Sequence, residues 1–190
     1  MAPQRTRPGR RPTVRQDGAV HRTRVAAAGS VAFFLAGPGL EAGLGPWLLV
    51  RIAGSDLADW PPALRLLGAV LIAAGLAVLA DVFVRFVADG AGTPSPAVPT
   101  QRLLARGAFA HLRHPMYVAT AAVIVGEALA FAQPILLVGA LAYVATMVAL
   151  TGALEDPRLA RRFGATYDAY RRAVPGWWPR LRPWRGDRGR

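Results

Sequence analysis

The sequence predicts an all-α polytopic membrane protein of about four transmembrane helices, with a C-terminal interfacial amphipathic helix and both termini cytoplasmic. Three observations carry that prediction. Of 190 residues 53% are apolar, the charged residues crowd into the two ends and one central segment, and four apolar runs approach the ~20 residues that cross a bilayer. One domain is expected over 25–182, between an arginine-rich tail at 1–24 and a basic tail at 183–190.

Composition removes several function classes. There is no cysteine, which excludes disulfides, thiol nucleophiles and cysteine metal sites. The three histidines, His21, His111 and His114, show no metal-ligand spacing, so no metal is expected. All 23 basic residues are arginine and the net charge is +12. They flank apolar runs, so the charge reads as membrane orientation and not as nucleic-acid binding. A lysine-free chain points to a GC-rich genome, and the expected location is a bacterial cytoplasmic membrane.

Residues 1–24 hold seven arginines and no apolar core, so they cannot order themselves. Arg10 and Arg11 are not followed by the apolar run that a twin-arginine signal needs. The first span falls in 25–50, where "GPGLEAG" (Gly37–Gly43) interrupts it; proline removes a backbone donor and glycine loosens the helix. Either one broken span or a span plus an interfacial piece fits, with Glu41 beside the break near the outer interface. Residues 66–87 form a second span. The third and fourth, 116–132 and 135–154, are joined by "AQP" (Ala132–Pro134), too short for anything but an antiparallel hairpin.

Arginine counts set the orientation. Seven lie in the first tail, four between Arg85 and Arg113 and ten from Arg158 onward, whereas the loop after span one carries Asp56 and Asp59. Both termini are therefore expected in the cytoplasm. From Leu159 the apolar residues Phe163, Tyr167, Tyr170 and Val174 recur at spacings of four, four, three and four. They stripe a helix at about 156–173 whose other face carries Arg158, Arg161, Arg162, Arg171 and Arg172. Trp177, Trp178 and Trp184 follow, suited to the headgroup level.

Within the spans, Asp81 and Arg85 are four apart and fit an intrahelical ion pair. Glu127 fits either the lining of a cavity or a protonated partner of a neighbouring helix. The chemistry concentrates in "HLRHPMYVAT" (111–120), at the head of span three. The short hairpin brings the end of span four, with Glu155 and Asp156, beside it. An arginine, a histidine, a tyrosine and two carboxylates then meet at one depth on the cytoplasmic side, an arrangement that fits a binding site or a structural ion pair.

The segments "GTPSP" (Gly92–Pro96), "RGAFAHLRHPMY" (Arg106–Tyr117), "EDPRLARRFGATYDAY" (Glu155–Tyr170) and "VPGWWP" (Val174–Pro179) stand in the order and spacing of a known group. Over roughly 62–182 the chain resembles the isoprenylcysteine carboxyl methyltransferase and phospholipid methyltransferase superfamily of integral membrane enzymes. The resemblance implies S-adenosylmethionine as cofactor, held on the cytoplasmic side by Arg113, His114, Pro115, Tyr117, Glu155 and Asp156, with Arg113 and Glu155 as catalytic residues. The family usually has a second glutamate where this chain has Asp156, and tyrosine and arginine where it has Phe109 and Ala110. The acceptor implied is a lipophilic small molecule or lipid. For a carboxylate, Arg113 would orient it; for an amine, His114 or Glu155 would take its proton. Two rivals share part of the pattern: an NADPH-dependent membrane reductase, which also carries an RHPxY segment, and a non-catalytic membrane module of the same fold.

Overall fold

The computed structural model describes residues 28–29, 31–53, 57–88 and 102–186. The expected GTPSP turn, the arginine-rich tail at 1–24 and the last residues of the basic tail lie outside the described residues. Among those described, the chain is helical and contains no strand. Helix α1 runs Val31–Ala53, α2 Pro62–Ala88, α3 Pro115–Ala130, α4 Ile135–Leu150, α5 Asp156–Phe163 and α6 Ala165–Ala173.

Helix α1 is one span and not a broken one. Its stretch Leu35–Leu44 is wound as a π-helix around Pro38, and the Gly45 N–H donates to Leu40 O, five residues back. The wider turn absorbs the missing proline donor without breaking the rod. Glu41, inside that stretch, accepts a hydrogen bond from the Tyr143 hydroxyl of α4 at 3.0 Å. A polar side chain within an apolar span is thus satisfied by its neighbour.

Among the described residues, three helices are long and apolar enough to cross a membrane: α1, α2 and the continuous rod Ile135–Phe163 that joins α4 to α5. The expected third span, 116–132, is the shorter 16-residue α3, which is the most enclosed helix and buries Ala119, Thr120, Val123, Ile124 and Ala128. Outward, Leu35, Ile52, Leu66, Val138 and Leu141 are exposed. An apolar surface around a packed interior is the arrangement a lipid solvent favours.

The tightest seam is α2 against α3, which run antiparallel. A Cβ built at Gly68 would collide with backbone atoms of Gly126 and Ala130, and one at Gly126 would lie 2.8 Å from Gly68 O. Seven residues along each helix, Gly75 meets Ala119, whose carbonyl oxygen would be 2.8 Å from a Gly75 Cβ. Small residues at matched positions let the two backbones touch.

The rod Ile135–Phe163 has 29 residues, about 43 Å at 1.5 Å per residue, against a hydrocarbon core of ~30 Å. Its last turns, α5, therefore stand clear of the span. A second π turn, Thr151–Glu155, precedes Pro157, and the Asp156 N–H donates to Thr151 O. It relieves the clash that proline would impose and turns Glu155 and Asp156 towards the head of α3. The helix expected over 156–173 is divided at Gly164, whose φ of 52° and ψ of −133° suit glycine. The division lets α6 fold back, so that Tyr167, Tyr170 and Val174 form a buried cluster with Leu103 and Trp184. The arginines Arg161, Arg162, Arg171 and Arg172 are exposed.

Candidate functional site

The segment leading into α3 is fixed from two sides. From α2, Asp81 accepts the Ala108 N–H at 2.7 Å through one oxygen and Arg85 Nε at 3.2 Å through the other. The expected ion pair is present, and it also anchors the 3-10 turn Gly107–Ala110. Gly107 has a φ of 58°, and a Cβ there would strike the Asp81 carboxylate. Phe109 packs edge-on against Phe86 at 5.9 Å, and the Tyr170 hydroxyl donates to Phe109 O at 2.7 Å. Gly107→Ala should therefore destabilise the protein by about 1–3 kcal/mol, from the unfavourable φ and the displaced carboxylate. Thermal unfolding in detergent would read it, and an unchanged midpoint would refute the anchoring role.

From the other side comes the stretch after α6. Arg113 N–H donates to Pro175 O at 2.9 Å, His114 N–H to Gly176 O at 3.2 Å, Arg180 N–H to His111 O at 3.0 Å and Trp184 N–H to Ala110 O at 2.8 Å. His111, to which sequence gave no role, has Nδ1 2.8 Å from Arg180 O. The tryptophans divide. Trp177 lies against the rings of His114 and Tyr117, Trp184 against Tyr170, and only Trp178, 81% exposed, projects outward.

Arg113 is held by three acceptors, through Nη1 and Nε. Its Nη1 donates to Asp156 at 2.8 Å and to the Tyr167 hydroxyl at 3.1 Å, and its Nε to Val174 O at 3.1 Å. The Tyr167 hydroxyl also donates to Asp156. Burial alone would raise the Asp156 carboxyl, but hydrogen bonds from His114, Tyr167 and Arg113, with the Arg113 charge, hold it well below the usual carboxylate range. Burial and the adjacent Asp156 carboxylate push the Tyr167 phenol up.

His114 is buried. Its Nε2 is 3.4 Å from Asp156 Oδ1 and its Nδ1 is 3.8 Å from Glu155 Oε1. Nδ1 has no hydrogen-bond partner among the described residues. A carboxylate facing Nε2 favours the tautomer protonated there, which leaves Nδ1 a bare acceptor. Glu155 is the open member of the group: its side chain is 39% exposed, and it accepts the Tyr117 hydroxyl at 3.0 Å.

A cavity of about 720 Å³ collects these groups, within the size range of small-molecule sites. Arg113, His114, Tyr117, Glu155, Arg158 and Arg162 supply its polar lining, and Phe33, Phe86, Leu104, Leu150 and Leu154 much of the apolar wall. Of the six residues the sequence singles out, four line the cavity. The other two, Asp156 and Pro115, stand behind it, Asp156 holding Arg113 and Pro115 buried in the first turn of α3. Glu127 meets neither expectation: it is not among the lining residues, and its Oε2 is buried with no partner among the described residues. Sequence reasoning missed the Asp81 anchor, the placement of Trp177 and the arginines at the cavity mouth. The i, i+4 spacing of Arg158 and Arg162 was visible, but not which way they face.

Two comparisons bear on identity. None of the curated proteins searched matches the chain. The family model described as phospholipid methyltransferase matches residues 63–166, more than half of the 190, from the start of α2 to that of α6. Those residues contain the α2–α3 seam, the Asp81 anchor and all four cavity-lining residues named from sequence. A membrane-embedded helical bundle with this site and this match is a membrane methyltransferase, and the chain belongs to the phospholipid methyltransferase family.

Proposed function

We propose that the protein transfers a methyl group from S-adenosylmethionine to the amine of a lipophilic acceptor at the cytoplasmic face of the membrane. The observation that carries this reading is the convergence of His114, Tyr117 and Glu155 on one cavity whose remaining wall is largely apolar. The donor set fits the cofactor. Glu155 offers a carboxylate to an ammonium, and the aromatic side chains of Tyr117 and Phe163 line the same cavity, where a sulfonium would lie. Arg113, Asp156 and Pro115 would hold this wall in shape. When bound, the cofactor supplies an electrophilic methyl group with a neutral sulfur leaving group.

The chain's own part is to align, dehydrate and deprotonate. Alignment by the cavity walls supplies much of the rate in a displacement that needs little covalent help. Arg113 favours an amine over a carboxylate acceptor. Its Nη1 donates to Asp156 and the Tyr167 hydroxyl and its Nε to Val174 O, so Nη2 alone remains and a second carboxylate could not be held by two parallel bonds. An ammonium acceptor must lose a proton before attack, and His114 Nδ1 is the base, its imidazolium then stabilised by Asp156 and Glu155. The arginine distribution supports a cytoplasmic site and cytoplasmic termini.

Calorimetric titration of S-adenosylmethionine into the full chain in detergent tests this. Wild type should bind, and Glu155→Gln should weaken binding about tenfold to a hundredfold, the loss of one charge-assisted bond, with its unfolding midpoint little changed because Glu155 is partly exposed. Absent binding by wild type would sink the reading, and NADPH binding in the same cell would move it to a reductase.

A further inference from the structure

The chain that follows α6 carries an exposed apolar pair that no helix accounts for. Trp178 is 81% exposed and Leu181 97% exposed, both in the irregular stretch 174–184 that straps the head of α3 through four backbone hydrogen bonds. The exposed leucines and valines of α1, α2 and α4 lie on helices apolar enough to meet lipid. Trp178 and Leu181 do not. Two large apolar side chains left bare so close together mark a surface that something covers.

Depth says what covers them. At its far end α3 runs into Ala132, whose carbonyl oxygen accepts the Ala58 N–H at 2.9 Å, and the loop holding Ala58 also holds the exposed Asp59. That end therefore stands at the water boundary remote from the cavity. The 16 residues of α3 cover about 24 Å, against a hydrocarbon core of ~30 Å, so its head ends about 6 Å inside the opposite edge, and any tilt draws it deeper. The strap is bonded to residues 110–114, at that head, which puts it at the boundary between acyl chains and headgroups. Its backbone suits that depth: Pro175, Pro179 and Pro183 have no N–H to leave unpaired.

Charge says which lipid. Arg171, Arg172, Arg182 and Arg185 are exposed, and among the described residues none of them has a carboxylate partner. Arginine at a membrane surface is drawn to anionic headgroups, its planar fork matches a phosphate, and tryptophan favours the same level. We propose that residues 171–185 are an anchor for anionic lipid, with Trp178 and Leu181 seated among the acyl chains on the cavity's side of the bilayer and the four arginines on the phosphates around them. The anchor is not the acceptor site: these six residues are absent from the cavity lining, and it stands whether or not the chain transfers methyl groups. It bears on that site through Trp177, which packs on His114 and Tyr117 beside the exposed Trp178. A seated strap keeps that wall in place.

The test places the full chain in nanodiscs of phosphatidylcholine with or without phosphatidylglycerol, which has no amine to be methylated. Trp178 emission is read as the difference between wild type and Trp178→Phe. Lipids brominated near the top of their chains quench an indole within the leaflet, and acrylamide quenches one in water. The expected result is a Trp178 signal quenched by brominated lipid and shielded from acrylamide, with brominated phosphatidylglycerol about twofold or more as effective as brominated phosphatidylcholine at equal mole fraction. Arg171→Gln/Arg172→Gln/Arg182→Gln/Arg185→Gln should lose that preference, and the four lysine substitutions should keep most of it. Raising the salt should erase it in wild type, which reads the same attraction without any substitution. Quenching by acrylamide and not by brominated lipid would overturn the proposal, since it puts Trp178 in water and leaves the surface to a soluble partner. Equal quenching by the two lipids, a preference that survives in the glutamine variant, or one indifferent to salt would each remove the anionic lipid as occupant.

Discussion

Arg113→Ala should destabilise the protein by about 3–5 kcal/mol, the cost of leaving a buried carboxylate without its counter-ion. The side chains of Arg113 and Asp156 are 14% and 12% exposed, so water cannot replace the lost partner. The same substitution frees Val174 O and removes one of the Tyr167 contacts, which loosens α6 as well as the acidic turn. Equilibrium unfolding in mild detergent would read it, and a loss below 1 kcal/mol would show that the pair is solvated after all. The pH dependence has a definite sign. Asp156 is held below its ordinary value of 3.8 in the folded protein, so its stabilisation is fully present above that value and is lost as pH falls through the folded value. Wild type should therefore lose stability on acidification, and Asp156→Asn should flatten that limb while starting from a lower plateau.

Arg113 both lines the cavity and holds Asp156. The sequence located the group correctly in space, because the Ala132–Pro134 turn leaves the ends of spans three and four no option but adjacency. What it could not divide was the labour among neighbours. Arg113 and His114 are consecutive and both line the cavity, whereas of Glu155 and Asp156 only Glu155 does, Asp156 standing behind it to hold Arg113. The π turn at Thr151–Glu155 decides this for the acidic pair, and no residue pattern announces a π turn beyond the proline that follows it. The first span was ambiguous for the same reason: GPGLEAG signals disturbance, and a π-helix and a break disturb the pattern alike. Long apolar runs, by contrast, fixed α2 and α4 to within a few residues, since length alone decides what can cross a bilayer. The aromatic stripe from Leu159 to Val174 was legible as a stripe. Its burial against the site was not, because Tyr167 and Tyr170 suit a membrane interface as well as a core until their hydroxyls are seen donating to Asp156 and Phe109 O.

Gly68→Val should be the most damaging single change in the bundle. The α2–α3 seam has backbone on both sides at this point: a Cβ at Gly68 runs into Gly126 O and Ala130 N, and 2.9 Å away stands Leu129 Cβ. Overpacking against a flexible side chain costs about 1–3 kcal/mol. Here no side chain can swing aside, so the helices must part and forfeit contact along the seam, and a loss of 3 kcal/mol or more is expected. Sequence alone hides the pairing, because α2 and α3 are both crowded with alanine and glycine, and matched small residues stand out only once the register Gly68–Gly126, Gly75–Ala119 is known. The damage should travel. Asp81, which anchors the 3-10 turn, rides on α2, and Tyr117 and His114 sit at the head of α3. Parting the seam pulls the Asp81 carboxylate from Ala108 N and shifts Tyr117 relative to Glu155, so S-adenosylmethionine affinity should fall with stability although Gly68 lies far along α2 from the cavity. Gly43→Val is the control, for a Cβ there meets nothing within 4 Å, and it should leave both quantities near wild type. If Gly68→Val matched Gly43→Val in unfolding midpoint, the close approach of α2 and α3 would be wrong. If it lost stability but kept its cofactor affinity, the seam would hold the bundle together without setting the geometry of the site.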